Sequence, residues 1–185
     1  EDDETHELWI RRDDPNGLLG DEETMIRLGS CNVMVVTDLA ATDRNMNAKT
    51  CRTAIEVWAK DAQDRCYLIW ARVGFFSIFE SFDHIFHAHQ ILRGIPQGTI
   101  IETNAFQKVV KPLLEHEQIV RDQWSHPIPV NAAGDKKARI RLAFGTYLLR
   151  NAIYATTEAS IPLLEELKMF PMSDKRLDTL DAAEK

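Results

Sequence analysis

The longest stretch of the chain without a strong helix breaker is residues 47–93, and it limits the possible folds most. It contains no proline and one glycine, Gly74, and the pair Gly94 and Pro96 marks its end. In its second half, the apolar residues fall within one arc of a helix with 3.6 residues per turn. These residues are Phe75, Ile78, Phe79, Phe82, Ile85, Phe86 and Leu92. This pattern predicts a long helix with one core-facing stripe.

Three further helical tracts are predicted from the same kind of pattern. They cover residues 21–43, residues 99–126 with a kink at Pro112, and residues 135–168 with a bend near Pro162, and a loop over 127–134 separates the last two. No segment alternates apolar and polar residues over the length of a strand. The sequence therefore predicts an all-α fold, an antiparallel helical bundle of four to five helices. Its expected core includes Phe79, Phe82, Phe86, Val120 and Trp124.

Charge is distributed unevenly along the chain. The formal net charge is −7, but residues 1–23 hold ten acidic residues against two arginines, which leaves the rest at +1. We expect three parts: an irregular acidic N-terminal arm over 1–23, a helical bundle domain over 24–170 and a C-terminal tail over 171–185. A nearly neutral body argues against non-specific duplex binding, which needs many phosphate contacts, but permits a small local RNA site.

Hydropathy and the N-terminal composition favour a cytoplasmic protein. No apolar run approaches the roughly 20 residues that span a bilayer, so no membrane partner is expected. The acidic start at residues 1–4 has no basic or apolar leader pattern. The three cysteines form no CxxC pair, which is typical of free thiols rather than a zinc knuckle. No cofactor is expected.

The segment 121–127, with the sequence RDQWSHP, could carry chemistry at a helix end. Because His126 precedes Pro127, the α conformation is disfavoured there, and the imidazole could turn toward Arg121. A guanidinium can hold a phosphate, and an imidazole can transfer a proton near neutral pH. The alternative is that Arg121 forms an ordinary helical ion pair with Glu117 while His126 caps the helix.

This motif resembles the signature of the HEPN superfamily of helical ribonucleases, in which an Arg followed by Asn or Asp precedes a His near a helix end. Arg121, Asp122 and His126 match those positions, and a loop and a final helix follow. The resemblance covers about the last two helices. It implies metal-independent RNA cleavage by a dimer, as in toxin or defence ribonucleases. Arg121 would contact the phosphate, Asp122 would orient, and His126 would act as general acid or base.

A second cluster has the composition of a metal site. Glu80, Asp83, His84 and His87 lie within about 100° of helical arc. Carboxylates and imidazoles at this spacing bind metals in helical bundles. The cluster, however, faces away from the phenylalanine stripe, whereas a metal site in a bundle faces the core. We therefore expect no tightly bound transition metal and keep these residues as weak candidates.

A third cluster is basic. Lys136, Lys137, Arg139 and Arg141 begin the last predicted helix, where the helix dipole disfavours cations. This arrangement points to an anionic partner, either RNA or the acidic arm, although a solvated surface would look the same.

Three functions from different classes remain open at this point. The first is a HEPN-like, metal-independent ribonuclease acting as a homodimer or higher homo-oligomer. The second is a non-catalytic helical module for assembly, scaffolding or nucleic-acid packaging. The third is a metal-binding helical bundle. Convergence of Arg121 and His126 on an open cleft would favour the first.

Overall fold

Strands rich in valine and isoleucine, rather than helices, form the centre of the protein. The computed structural model describes residues 8–11, 25–40, 52–102, 107–131 and 135–169. The strands are β1 (Trp9–Arg11), β2 (Met25–Arg27), β3 (Asn32–Asp38), β4 (Thr53–Lys60), β5 (Cys66–Gly74), β6 (Thr99–Glu102), β7 (Pro127–Val130) and β8 (Ile153–Ala155). The helices are α1 (Ile78–Ile91), α2 (Gln107–Arg121), α3 (Lys136–Leu149) and α4 (Thr157–Met169), and Leu28–Ser30 forms one 3₁₀ turn.

Six strands form one mixed sheet in the order β7-β6-β3-β4-β5-β8. Strand β4 runs antiparallel to both of its neighbours, whereas β6 is parallel to β3, β7 to β6 and β8 to β5. Five strands therefore point one way, and the carboxyl ends of β3, β6 and β7 meet along one edge. We call this the carboxyl edge, and the opposite one, which holds the β4–β5 turn, the amino edge.

The predicted all-α bundle is wrong, and the long tract over 47–93 shows why. It divides into β4, β5 and α1. The turn between the two strands contains neither glycine nor proline. Instead, Asp61 Oδ1 accepts hydrogen bonds from the backbone N–H groups of Gln63 and Arg65, at 3.0 and 2.9 Å, and Asp64 adopts a left-handed φ of 62°. An aspartate side chain thus replaces the usual turn residues.

The other predicted helices are also shorter than expected or absent. Residues 25–38 form β2, the 3₁₀ turn and β3, because the β-branched Val33, Val35 and Val36 suit an extended chain. Residues 99–102 form β6 before α2, the predicted loop contains β7, and β8 separates α3 from α4. Gly98 allows β6 to enter beside β7, because a Cβ there would lie 2.7 Å from the His126 carbonyl oxygen.

Helices cover both faces of the sheet and give two apolar cores. On the α1–α2 face, Val33, Val35, Ile55, Val57 and Ile101 pack with helical side chains that include Phe82, Ile85, Phe86, Val110 and Leu114. On the α3–α4 face, Trp58, Leu68 and Ala71 pack with Ile140, Phe144, Ala159 and Leu163. The central strands are therefore buried on both sides, as in α/β proteins.

Two of the five residues predicted to form the core are buried. Phe82 and Phe86 are buried, at 0% and 3% exposure, whereas Phe79, Val120 and Trp124 are more than half exposed. The difference arises because the helices lie on a sheet and not inside a bundle. Only the strip of each helix that faces the sheet is covered, which leaves Phe79 of α1 and Val120 of α2 exposed.

The boundaries of the acidic arm, the body and the tail remain a prediction. Within the described part of the arm, β1 pairs antiparallel with β2, and Leu8 and Ile10 pack against the larger core. Residues 1–7, 12–24 and 170–185 lie outside the described residues. In the part of the chain that the structure describes, no helix is both long and apolar enough to cross a lipid bilayer.

Candidate active site

Two carboxylates meet where the carboxyl ends of β3 and β6 lie side by side. The parallel register pairs Val35 with Thr99, Val36 with Ile100 and Thr37 with Ile101. Carried one residue further, it aligns Asp38 with Glu102, which are the last residues of their strands. Neighbouring strands lie about 4.8 Å apart, so the two backbones hold these side chains within reach of a single ion or phosphate.

Both carboxylates are on the α3–α4 face of the sheet. Side chains alternate along a strand, and the neighbours Val35 and Ile101 belong to the core on the α1–α2 face. Asp38 and Glu102 each lie an odd number of residues away and therefore project to the other side. Both side chains are partly buried. The pair is thus accessible to a ligand while its backbone is part of a rigid sheet.

The surroundings of the pair are polar and well fixed. Ala40 N–H donates to Thr53 Oγ1 at 3.1 Å, which holds the chain where it leaves β3 beyond Asp38. On the same face, Glu56 is fully buried, and Trp58 Nε1 donates to its Oε2 at 2.7 Å. At the same edge, Arg52 donates to Glu166 Oε1 of α4 at 3.0 Å. Helix α4 is therefore anchored beside the candidate site.

Sequence reasoning missed Asp38 and Glu102. The available signal is an acid that ends a short stretch of apolar and β-branched residues, in VMVVTD and in TIIE. Acids at such positions lie at the carboxyl ends of strands, where α/β proteins bind their ligands. That signal required the tracts to be recognised as strands.

The residues of the RDQWSHP segment are placed at the end of α2. Arg121 Nε donates to Glu117 Oε2 at 2.9 Å, its guanidinium also binds Asp83, and its Cζ lies 5.1 Å from the centre of the Phe86 ring. These acceptors raise the pKa of Arg121, Asp83 contributing most and Glu117 next. The expected helical pair with Glu117 is therefore present. Asp122 follows the helix in a left-handed conformation, with φ of 51°.

His126 leaves the helix, as expected before a proline, and is exposed at the amino edge. Its φ is 45°, and its backbone N–H donates to Gln118 Oε1 at 3.2 Å. It lines an open cleft of about 640 Å³ together with Gln118, Ile119 and Trp124. Arg121 is not among the residues that line this cleft. Catalytic roles for Arg121, Asp122 and His126 stay a prediction that the geometry does not test.

His89, at the end of α1, is buried against the amino end of β6. Its Nε2 lies 2.9 Å from Thr99 Oγ1. Burial lowers its pKa to about 4, with a further contribution from the charge of His126. The neutral imidazole is therefore the form that the folded protein holds.

This burial predicts a loss of stability in mild acid. The folded pKa of about 4 lies below the ordinary 6.5, so the unfolded chain binds a proton more readily between these values. Stability from this group should be complete above pH 6.5, fall as the pH drops, and reach its minimum near pH 4. The free energy of unfolding should fall by about 1–3 kcal/mol over this window, measured by denaturant titration. His89→Gln should remove that part of the pH dependence; an unchanged slope would contradict it.

The four weak metal candidates on α1 are engaged in protein contacts. Glu80 completes a capping box with Ser77, in which Ser77 N–H donates to Glu80 Oε2 at 2.7 Å. Asp83 binds Arg121, and the His84 ring lies 4.6 Å from that of Phe76. The centre of the His87 ring lies 6.1 Å from that of Trp70. Among the described residues, no group of three or more His, Cys, Asp or Glu side chains could hold a metal ion.

The basic cluster lies at the start of α3. Asp135 caps this helix by accepting a hydrogen bond from the Lys137 N–H at 3.2 Å. Lys137 and Arg139 are partly buried and Arg141 is exposed, whereas the side chain of Lys136 lies outside the described residues. The helix follows β7, whose carboxyl end lies at the same edge as Asp38 and Glu102.

Comparison with known proteins supports the α/β assignment. No protein-family model matches the sequence, and no curated protein matches it. Among solved structures, the chain is similar to the yeast mitochondrial Holliday junction resolvase, with a TM-score of 0.50 and 9% identity over 82% of this chain and 74% of that one. It is also similar to the fowlpox virus Holliday junction resolvase, with a TM-score of 0.46 and 12% identity over 82% and 91%. For the complex of the fowlpox enzyme with junction DNA, the TM-score is 0.42 at 13% identity.

The hypothesis of a HEPN-like, metal-independent ribonuclease is wrong, and so is the resemblance on which it depended. That family is a helical bundle, whereas the motif here joins α2 to β7 of a mixed sheet. The scaffold and metal-binding alternatives both assume a helical bundle, so the mixed sheet removes that basis too. At these identities the likeness concerns the fold alone, and the chain shares its fold with the yeast mitochondrial resolvase.

Proposed function

We propose that this protein is a divalent-metal-dependent nuclease that hydrolyses DNA at the Asp38–Glu102 pair. One observation carries the proposal: the parallel register of β3 and β6 aligns two carboxylates on one face of the carboxyl edge. Carboxylates from adjacent strand ends can bind the same divalent cation through their oxygen atoms. Such a pair therefore favours a function that uses a bound cation.

The residues fit a hard cation such as Mg²⁺. This ion binds through oxygen atoms and commonly uses one or two protein carboxylates, with water and substrate phosphate completing its shell. Asp38 and Glu102 supply two such groups on rigid strands. A bound divalent ion lowers the pKa of a water molecule and neutralises charge on a phosphate. Asp38 and Glu102 would hold the ion, and the Ala40–Thr53 hydrogen bond fixes the segment after Asp38.

The sequence that follows α4 contains further acidic residues, which are the type of ligand that such an ion binds. Glu166, near the end of that helix, contacts Arg52 at the start of β4, on the carboxyl edge. The next residues of the sequence include Asp174, Asp178 and Asp181, which lie outside the described residues. Their asparagine variants belong in the same assays as those of Asp38 and Glu102.

DNA is the proposed substrate because the fold is shared with an enzyme whose name states that it resolves Holliday junctions. This replaces the RNA partner expected from the sequence. A homo-oligomer remains part of the proposal, since cutting both strands of a duplex or junction requires two cleavage events and a symmetric dimer supplies two sites.

The decisive experiment varies the metal and the substrate. Purified protein is incubated with end-labelled four-way junction, linear duplex and single-stranded DNA, in Mg²⁺, in Mn²⁺ or in EDTA. We expect cleavage of at least one DNA substrate in Mg²⁺ or Mn²⁺ and none in EDTA. Cleavage that persists in EDTA, or no cleavage of any DNA with either metal, would refute the proposal. The preferred DNA form then distinguishes a junction enzyme from one that cuts linear DNA.

A further inference from the structure

Helix α3 lies on the same face of the sheet as the Asp38–Glu102 pair, and its basic start follows β7, which ends at the carboxyl edge. Its carboxyl-terminal half reaches the amino edge, where Tyr147 Oη donates to Asp64 Oδ1 at 3.1 Å and the Arg150 guanidinium approaches Asp64 at 3.4 Å. Its middle packs on the sheet, with Phe144 edge-on to Trp58. The helix is about 20 Å long, so its first turn lies near the carboxyl edge.

Lys137 lies on the side of α3 that faces the sheet. It precedes Ile140 by three residues and Phe144 by seven, and both of these are buried in the core on the α3–α4 face. Positions with this spacing share one stripe of a helix. Helical side chains also tilt toward the N-terminus, so a long lysine at this position extends toward the carboxyl edge. Its partial burial agrees with that direction.

We propose that Lys137 binds the DNA phosphate that is cleaved, while Arg141, one turn later on the same flank, binds a neighbouring phosphate. The inference rests on the proposed nuclease function and assigns this helix to its substrate. Two carboxylates give the edge negative charge, and a polyanion needs cations beside them to approach. The ammonium group of Lys137 supplies one as a compact point charge. The basic residues that begin α3, against the helix dipole, are then explained by the substrate.

The test compares variants that lose the same charge at the two ends of α3. Lys137→Gln removes the cation at the carboxyl edge, and Arg150→Gln removes one at the amino edge. Affinity for a labelled DNA duplex is measured by fluorescence anisotropy in Ca²⁺ over a range of salt concentrations, and cleavage is measured in Mg²⁺. Lys137→Gln should slow cleavage at saturating DNA by about 10–100-fold and reduce the salt slope of binding by about one. Arg150→Gln should change neither by more than about twofold.

The outcomes separate this inference from the proposed function. If the parent enzyme cleaves and Lys137→Gln cleaves equally well, Lys137 does not bind the scissile phosphate although the protein is a nuclease. If the parent does not cleave, the salt slope still decides whether Lys137 contacts DNA phosphates. Lys137→Arg should restore most binding, because it keeps the charge. Equal losses in Lys137→Gln and Arg150→Gln would overturn the inference, because they would reflect net charge alone.

Discussion

Replacing either edge carboxylate should abolish DNA cleavage while leaving the protein folded. Asp38→Asn and Glu102→Gln keep the size of each side chain and remove the charge that holds a divalent ion. Metal ions contribute several kcal/mol to the transition state, and each 1.36 kcal/mol is a factor of ten in rate. We therefore expect each variant to cut DNA at least about 10³-fold more slowly than the parent, measured under single-turnover conditions in Mg²⁺.

Asp64→Asn is the matched control for this prediction. It makes the same carboxylate-to-amide change at the amino edge, where Asp64 is partly exposed and binds Lys60 at 2.7 Å. It should cleave DNA within about twofold of the parent. A readout that does not depend on activity is the rise in melting temperature on adding Mn²⁺, which follows from ion binding to the folded state. Asp38→Asn and Glu102→Gln should lose that rise, and Asp64→Asn should keep it.

The variants should stay folded when no metal is present, because both side chains are only partly buried and each replacement keeps the size of its side chain. In metal-free buffer, Asp38→Asn should therefore unfold at about the same temperature as the parent. A variant that melts much lower would show that Asp38 supports the fold. Parental cleavage rates in both variants would place the chemistry elsewhere in the molecule.

The helices of this fold were predictable where local signals mark their ends. Gly94 and Pro96 correctly indicated where α1 ends, and Phe82 and Phe86 were correctly placed in the core. Ser77 and Glu80 form a capping box that marks the start of α1. Such signals depend on residues a few positions apart and are read without knowledge of the tertiary structure.

The sequence pattern did not predict the strands, and the reason is physical. Alternation of apolar and polar residues arises when one face of a sheet contacts water, and β4 is buried on both faces, with even Glu56 fully enclosed. The turn between β4 and β5 depends on Asp61 instead of glycine or proline. Two buried strands joined by such a turn resemble one uninterrupted helical tract in the sequence.

The candidate site was not predicted, because it is formed by residues from distant parts of the sequence. Asp38 and Glu102 are far apart in the sequence, and only the parallel pairing of β3 with β6 brings them together. Parallel neighbours require a long crossover, here through β4, β5 and α1, so their register cannot be read from a local pattern. The basic start of α3, by contrast, was visible in the sequence, because Lys136, Lys137, Arg139 and Arg141 lie within six residues.

Arg52→Ala should lower the free energy of unfolding, because it breaks the ion pair that anchors α4 at the carboxyl edge. Glu166 is buried in α4, at 1% exposure, and Arg52 Nη2 lies 3.0 Å from its Oε1. Arg52→Ala should leave this carboxylate enclosed in the protein without the guanidinium. Breaking a buried pair from one side costs about 3–5 kcal/mol, and we expect about 3 kcal/mol here because the arginine retains 23% exposure.

A double-mutant cycle separates this pair from ordinary loss of contact. The free energy of unfolding is measured by urea titration for Arg52→Ala, Glu166→Gln and the combined variant. Because Glu166→Gln removes the buried charge, it should recover part of the stability lost in Arg52→Ala, with a coupling energy of about 1–3 kcal/mol. The exposed pair of Lys111 with Glu115, at 3.5 Å, is the control and should show a coupling below about 0.5 kcal/mol.

Strictly additive losses at Arg52 and Glu166 would show that the pair does not hold α4 in place. Since Arg52 lies at the carboxyl edge, directly before β4, a cleavage rate that falls in parallel with the stability would link this ion pair to the candidate site.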